Sequence, residues 1–112
     1  MNTIDTFTAN IYVGAKEGYD GKIHTYQEAH YILQEYCNDI KLAVTLSETR
    51  FIYVDGYEYG FVIGLINYPR FPSTPQEITT RALEIAQIFL KEFNQNRISI
   101  VCSDKTYMLE KE

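Results

Sequence analysis

The chain has 112 residues and a mass of 13.0 kDa, room for a single domain spanning 1–112. Its 46% hydrophobic and 22% charged residues exclude a disordered tail, and no apolar run is long enough to cross a bilayer. Lys+Arg number 10 against 15 Asp+Glu, a net charge of −5, which argues against a DNA- or RNA-binding surface, and without a bilayer-spanning run no membrane partner is expected. One small anionic ligand held by a few local arginines remains compatible with that balance. The opening MNTIDTFTAN lacks the basic start and apolar middle of a signal peptide, so the expected location is the cytoplasm. Cys37 and Cys102 stand far apart in no metal or redox pattern and read as ordinary buried thiols.

In chain order, residues 7–13 (FTANIYV) alternate and are rich in β-formers, which predicts a strand; Gly14 to Gly21 reads as a loop. Thr25-Tyr26-Gln27-Glu28 has the form of a capping box. Behind it Tyr26, Ala29, His30, Leu33, Tyr36 and Cys37 recur at helical spacing, predicting an amphipathic helix of about three turns. Three strands are expected next. They are Leu42 to Leu46, Phe51 to Val54 ending in the hairpin signal Asp55-Gly56, and the long apolar run Tyr57 to Asn67. The last is apolar on both faces, as a central strand is, and Gly60 and Gly64 on one face suggest close approach of a helix or another chain.

Residues 67–75 (NYPRFPSTP) form a loop stiffened by all three prolines of the chain. Thr74-Pro75-Gln76-Glu77 starts a second helix, with threonine as cap, proline at the first position and glutamate closing the box. Ile78, Ala82, Ile85, Ala86, Phe89 and Phe93 form its core stripe, while Leu83, Ile88 and Leu90 widen the apolar face beyond what one sheet requires. After Asn94-Gln95-Asn96 come strands over Arg97 to Cys102 and Thr106 to Leu109. The order β-α-β-β-β-α-β-β predicts an α+β fold, a mainly antiparallel sheet packed against two helices.

Enzymatic constellations are poor. His24 and His30 do not share a helix face, His30 reads as a core histidine, and there is no Cys-His pair, GxSxG, P-loop or dinucleotide fingerprint. Neither a metal site nor a pair of catalytic carboxylates can be identified, so no catalytic residue and no cofactor is assigned. The distinctive segment is NYPRFP. Prolines on both sides of Arg70-Phe71 reduce the entropy lost on binding, the phenyl ring offers a face for a nucleobase, and the guanidinium can grip a phosphate. The loop runs into the N-terminus of the second helix, which favours an anion, and Arg81 and Arg97 could add charge. The plain alternative is a rigid connector with Phe71 in the core and Arg70 in water. Tyr19, Tyr31, Tyr57 and Tyr59 exceed what one small core can hold, which together with the wide helix face favours a homo-oligomer.

The opening NIYVG, the strand ending GLINYPRFP, the long helix and the closing RISIVCSDKTYML resemble the phage Thoeris anti-defence 1 (Tad1-type) family over nearly the whole chain. That resemblance implies an α+β oligomer, dimer or hexamer, acting as a sponge. It would bind cyclic ADP-ribose isomers such as glycocyclic ADP-ribose, made by Thoeris TIR proteins, and hold them without cleavage, so blocking the effector. Some hexameric members also bind cyclic oligonucleotides at a separate site. Carried over by position, Phe71 would stack the adenine, Arg70 would sit beside the phosphates, Arg97 would match a tail arginine near the ligand, and Asp104 with Lys105 would lie in the following turn. Arg81 departs from an expected asparagine-type contact, and Arg50 and Asn96 are weaker candidates. The expectation is therefore a binding protein and not an enzyme; a small nucleotide-degrading enzyme and a protein-binding oligomeric module are the alternatives.

Overall fold

The computed structural model describes residues 1–19 and 21–112; the expected loop over 14–21 includes position 20, which lies outside them. Seven elements follow in order: β1 (Thr8–Gly14), α1 (Tyr26–Ile40), β2 (Thr45–Tyr53), β3 (Gly56–Ile66), α2 (Pro75–Glu92), β4 (Arg97–Cys102) and β5 (Thr106–Glu110). The five strands form one antiparallel sheet in the order β2-β3-β1-β4-β5. This is the α+β architecture anticipated, with five strands in place of six. Leu42 to Leu46 and Phe51 to Val54 are not separate strands. Residues 45–53 pair continuously with β3 from Thr45↔Gly64 to Tyr53↔Gly56, because polar Ser47, Glu48 and Thr49 interrupt the hydrophobic pattern without interrupting the backbone ladder. The two-residue turn is Val54-Asp55, one position earlier than the Asp-Gly signal, with Asp55 in the left-handed region at φ 60°.

Alternation in the strands sends Ala9, Ile11 and Val13 of β1, Phe61, Ile63 and Leu65 of β3, and Ile98, Ile100 and Cys102 of β4 to one face, all buried. α2 covers β1 and β4 with Ile78, Ala82, Ile85, Ala86, Phe89 and Leu90. α1 lies toward the β2–β3 side, where the Tyr26 ring sits 6.3 Å from that of Phe61 and its hydroxyl donates to Leu46 O at 3.4 Å. Both capping boxes form: Thr25 accepts from Glu28 N and Thr74 from Glu77 N, each at 3.1 Å, with the glutamate reaching back to the cap backbone. Leu90 joins the core, and Ile88 faces a groove shared with Ile32 and Tyr36 of α1, so the broad apolar face of α2 meets the other helix.

The expected core histidine is not in the core. His30 is exposed, because only Ala29 and Leu33 of α1 reach the core and the flank of the stripe overhangs it; His24, just before the helix cap, is buried. Cys102 is buried and Cys37 half-buried, both free thiols.

Among the described residues no helix packs on the other face of the sheet. The two β3 glycines are matched instead by cross-strand side chains: the Phe51 ring would meet a Cβ at Gly60 at 2.2 Å, and Thr45 Oγ1 would meet one at Gly64 at 2.5 Å. At Gly60 the backbone oxygen of Val13 would stand 2.5 Å away as well, and it cannot swing aside. Gly60→Ala is therefore expected to destabilise the fold by about 1–3 kcal/mol, read as a lower urea midpoint at unchanged slope.

The accessible surface is 7690 Å², against roughly 6,300 Å² for a compact monomer of this mass. The extents, 49 × 30 × 28 Å, reflect a β2–β3 hairpin that projects past the helices with Ile52, Tyr53, Val54, Tyr57 and Tyr59 exposed. Among the described residues no helix is long and apolar enough to cross a membrane.

Candidate functional site

The six residues singled out for ligand contact divide between opposite ends of the sheet. β3 ends at Ile66, opposite Thr8, and Ser103 N donates to Thr8 O at 3.0 Å, so the 67–75 loop and the 103–105 turn with Asp104 sit at the same end. Arg97 opens β4 at the other end, opposite Glu110, with Asn96 just before it. Six residues of β4 separate the two ends, roughly 20 Å of strand.

At the first end Phe71 and Arg81 line one cleft of about 510 Å³, with Lys41, Tyr68 and Glu77. Phe71 is 70% exposed and not a core residue, and the Arg70 guanidinium lies 5.3 Å from its ring centre. Arg81 pairs with Glu84 at 3.1 Å, and Glu84 also accepts from the Tyr36 hydroxyl at 2.5 Å. Burial foremost, with the Glu84 contact, holds the Tyr36 phenol far above its ordinary range. The start of α2 is a weaker anion site than its sequence suggests. Pro75 has no N–H, Glu77 N is bound by Thr74, and the Glu77 carboxylate, held below the usual carboxylate range by hydrogen bonds from Thr74, occupies the cap.

At the second end a pocket of about 480 Å³ is lined by Lys16, Tyr19, Tyr53, Tyr57, Glu58 and Arg97, with Gln95 and Asn96. Its parts come from four segments. The β1–α1 loop brings Lys16 and Tyr19, the β2–β3 hairpin brings Tyr53, Tyr57 and Glu58, the turn after α2 brings Gln95 and Asn96, and β4 begins with Arg97. Gln95 is buried, at 8% exposure, and its amide nitrogen donates to Lys16 O and Phe93 O, both at 3.1 Å. Its Oε1 occupies the notch left by Gly14, 2.7 Å from where a Cβ would stand, with Glu58 Oε1 3.6 Å from the same point. Two acceptors thus converge beside the aromatic rings. Among the described residues no carboxylate lies within ion-pair distance of Lys16, Arg70 or Arg97.

Of the residues lining this pocket, the sequence reading singled out Arg97 and Asn96 as ligand contacts and did not single out Lys16, Tyr53, Glu58 or Gln95. A carboxylate between two aromatics beside a hairpin turn, Tyr57-Glu58-Tyr59, is the one signal that could have marked this end. Among the described residues no cluster of three His, Cys, Asp or Glu side chains is arranged to hold a metal ion.

No family profile matches the chain, and no curated protein matches its sequence. Its fold is shared with solved structures. One is a phage SAM lyase in complex with S-methyl-5'-thioadenosine, with TM-score 0.81 and 15% identity over 96% of this chain and 91% of the other. Another is a phage SAM lyase in the apo state, with TM-score 0.75 and 13% identity over 95% and 90% of the two chains. At this identity the likeness is one of fold. It corrects the expectation that the chain is not an enzyme, since the architecture is one that a lyase uses. The physical reason for the error is that missing nucleophiles, bases and metal sites argue against hydrolysis. A lyase whose substrate carries its own charged leaving group needs none of them.

Proposed function

We propose that the chain is a phage anti-defence enzyme that binds and breaks down an adenosine-bearing sulfonium, S-adenosylmethionine, in the pocket around Tyr57, Glu58 and Arg97. The observation that carries this reading is the match of charges in that pocket, on a fold shared with a phage SAM lyase bound to S-methyl-5'-thioadenosine. The substrate has an aromatic base, a sulfonium, an ammonium and a carboxylate. Tyrosine rings suit the base and the sulfonium, Glu58 the ammonium, and Lys16 with Arg97 the carboxylate. The substrate's own carboxylate oxygen bonds to the γ carbon of the amino-acid chain as the bond from that carbon to sulfur breaks; the electron pair goes to sulfur, and the products are neutral methylthioadenosine and a homoserine lactone. The pocket's part is to hold the chain in a bent, reactive geometry and to exclude water.

The test is incubation of S-adenosylmethionine with protein at one-hundredth of its concentration. Methylthioadenosine accumulating beyond one equivalent of protein is expected; intact substrate after hours overturns the reading.

A second reading follows from Arg70, free of any acidic partner among the described residues and stacked on exposed Phe71. The cleft that Phe71 borders carries Lys41 and Arg81, which suits a diphosphate, so a cyclic ADP-ribose isomer is its natural ligand. Titration calorimetry with such an isomer separates the two. Uptake weakened about tenfold or more by Phe71→Ala, with S-adenosylmethionine untouched, selects the second reading. Assembly into a homo-oligomer belongs to either reading. It is supported by the excess surface and by exposed Tyr12, Ile66, Val101 and Met108 on the helix-free face of the sheet.

A further inference from the structure

His24 is 6% exposed and lies one residue before the α1 cap. Its Nδ1 is 2.6 Å from Glu28 Oε2 and its Nε2 is 2.5 Å from Glu17 Oε2. A neutral imidazole has one N–H and one lone pair, so it can serve only one of these carboxylates; an imidazolium serves both. The ring also stacks on Phe93, centroids 4.1 Å apart and planes within 4°. Glu17 Oε1 accepts from Asn94 Nδ2 at 3.2 Å, Glu17 N donates to Lys22 O at 3.0 Å, and His24 N donates to Ala15 O at 2.7 Å. One ring therefore ties together the β1–α1 loop, the start of α1 and the end of α2. The first and last of these deliver Lys16, Tyr19 and Gln95 to the pocket.

We propose that His24, as an imidazolium bridging Glu17 and Glu28, is a positioning residue that holds the Lys16–Tyr19 wall of the pocket against Gln95, and that the site is assembled only while His24 is charged. The proposal rests on the reading of this pocket as the substrate site. The groups facing the ring are Glu17 from the loop, Glu28 from α1 with Lys22 at 3.8 Å from its carboxylate, and from the α2 end the neutral Phe93 ring, with Glu92 on the rim of the adjoining groove.

Hydrogen bonds hold both carboxylates below their usual range, from Asn94 and then His24 for Glu17, and from His24 for Glu28. With lowered folded-state values, their contribution is complete above the ordinary carboxylate range and is lost as pH falls through the lowered one. A neutral His24 ring, with a single N–H, can hold only one of the two carboxylates, so the clasp needs the imidazolium as well as both carboxylates ionised.

The test begins on the unliganded protein. Nitrogen NMR is expected to show both His24 ring nitrogens protonated at about pH 6. Deprotonating the ring by raising the pH should shift the amide resonances of Lys16 and Gln95 and lower the protection factors, corrected for the intrinsic rise of exchange with pH, about tenfold at Glu17 and His24. The dissociation constant for S-adenosylmethionine should rise about tenfold over the same interval, and His24→Gln should flatten that profile at its weak end. A single neutral tautomer at about pH 6, or Lys16 and Gln95 resonances indifferent to the transition, overturns the proposal. Should those resonances respond while the sulfonium neither binds nor reacts, the clasp stands and the substrate reading falls.

Discussion

Replacing Phe93 by alanine is expected to cost the fold about 3–5 kcal/mol, a large part of the 5–15 kcal/mol typical of a domain. The ring is 1% exposed at the C-terminal cap of α2. It meets Phe89 edge-on at 4.9 Å, Phe61 at 6.0 Å and His24 face-on at 4.1 Å. Truncation removes three aromatic contacts at once and leaves a cavity under the His24 ring, which loses its platform. Because Phe61 belongs to a central strand, the surroundings can relax only in part. Urea unfolding is the measurement, and a loss below about 1 kcal/mol would show that the aromatic cluster is not the centre of this core.

The second large effect concerns Glu58. Glu58→Gln preserves shape and removes the charge proposed to meet the substrate ammonium, so kcat/KM for S-adenosylmethionine should fall roughly 10- to 100-fold, the equivalent of about 1.5–3 kcal/mol. Glu58 is half-buried, so the urea midpoint should move little. Loss of activity with the midpoint intact separates a ligand contact from a structural one. An unchanged kcat/KM would remove Glu58 from the site.

Much of the fold can be read from local chemistry. Both capping boxes lie in four-residue words, and the buried faces of β1, β3 and β4 follow from simple alternation, so each is decided by neighbours in sequence. Where long-range packing decides, the reading fails. His30 has the helical spacing of a core residue, but α1 overhangs the sheet edge, while His24 is buried by Phe93, sixty-nine positions away in the chain. Ser47, Glu48 and Thr49 look like a break in a strand because burial of β2 is slight, yet β3 supplies every backbone partner. The 480 Å³ pocket is assembled from four separate segments, none of which carries a motif of its own; Arg97 stood out in the sequence only as an added charge, and Asn96 only through a resemblance.

The position of β1 has a consequence for biosynthesis. The first strand made is the middle of the sheet: Ala9 pairs with Leu65 on one side and with Cys102 on the other. A nascent chain therefore cannot close its sheet progressively from the ribosome, since β4, the second partner of β1, follows α1, β2, β3 and α2 in chain order. Contacts of such long sequence separation slow folding and leave one flank of a very apolar strand open to other chains in the meantime. Emergence of β4 and β5, rather than of any earlier part of the sheet, is the moment at which the native state becomes accessible.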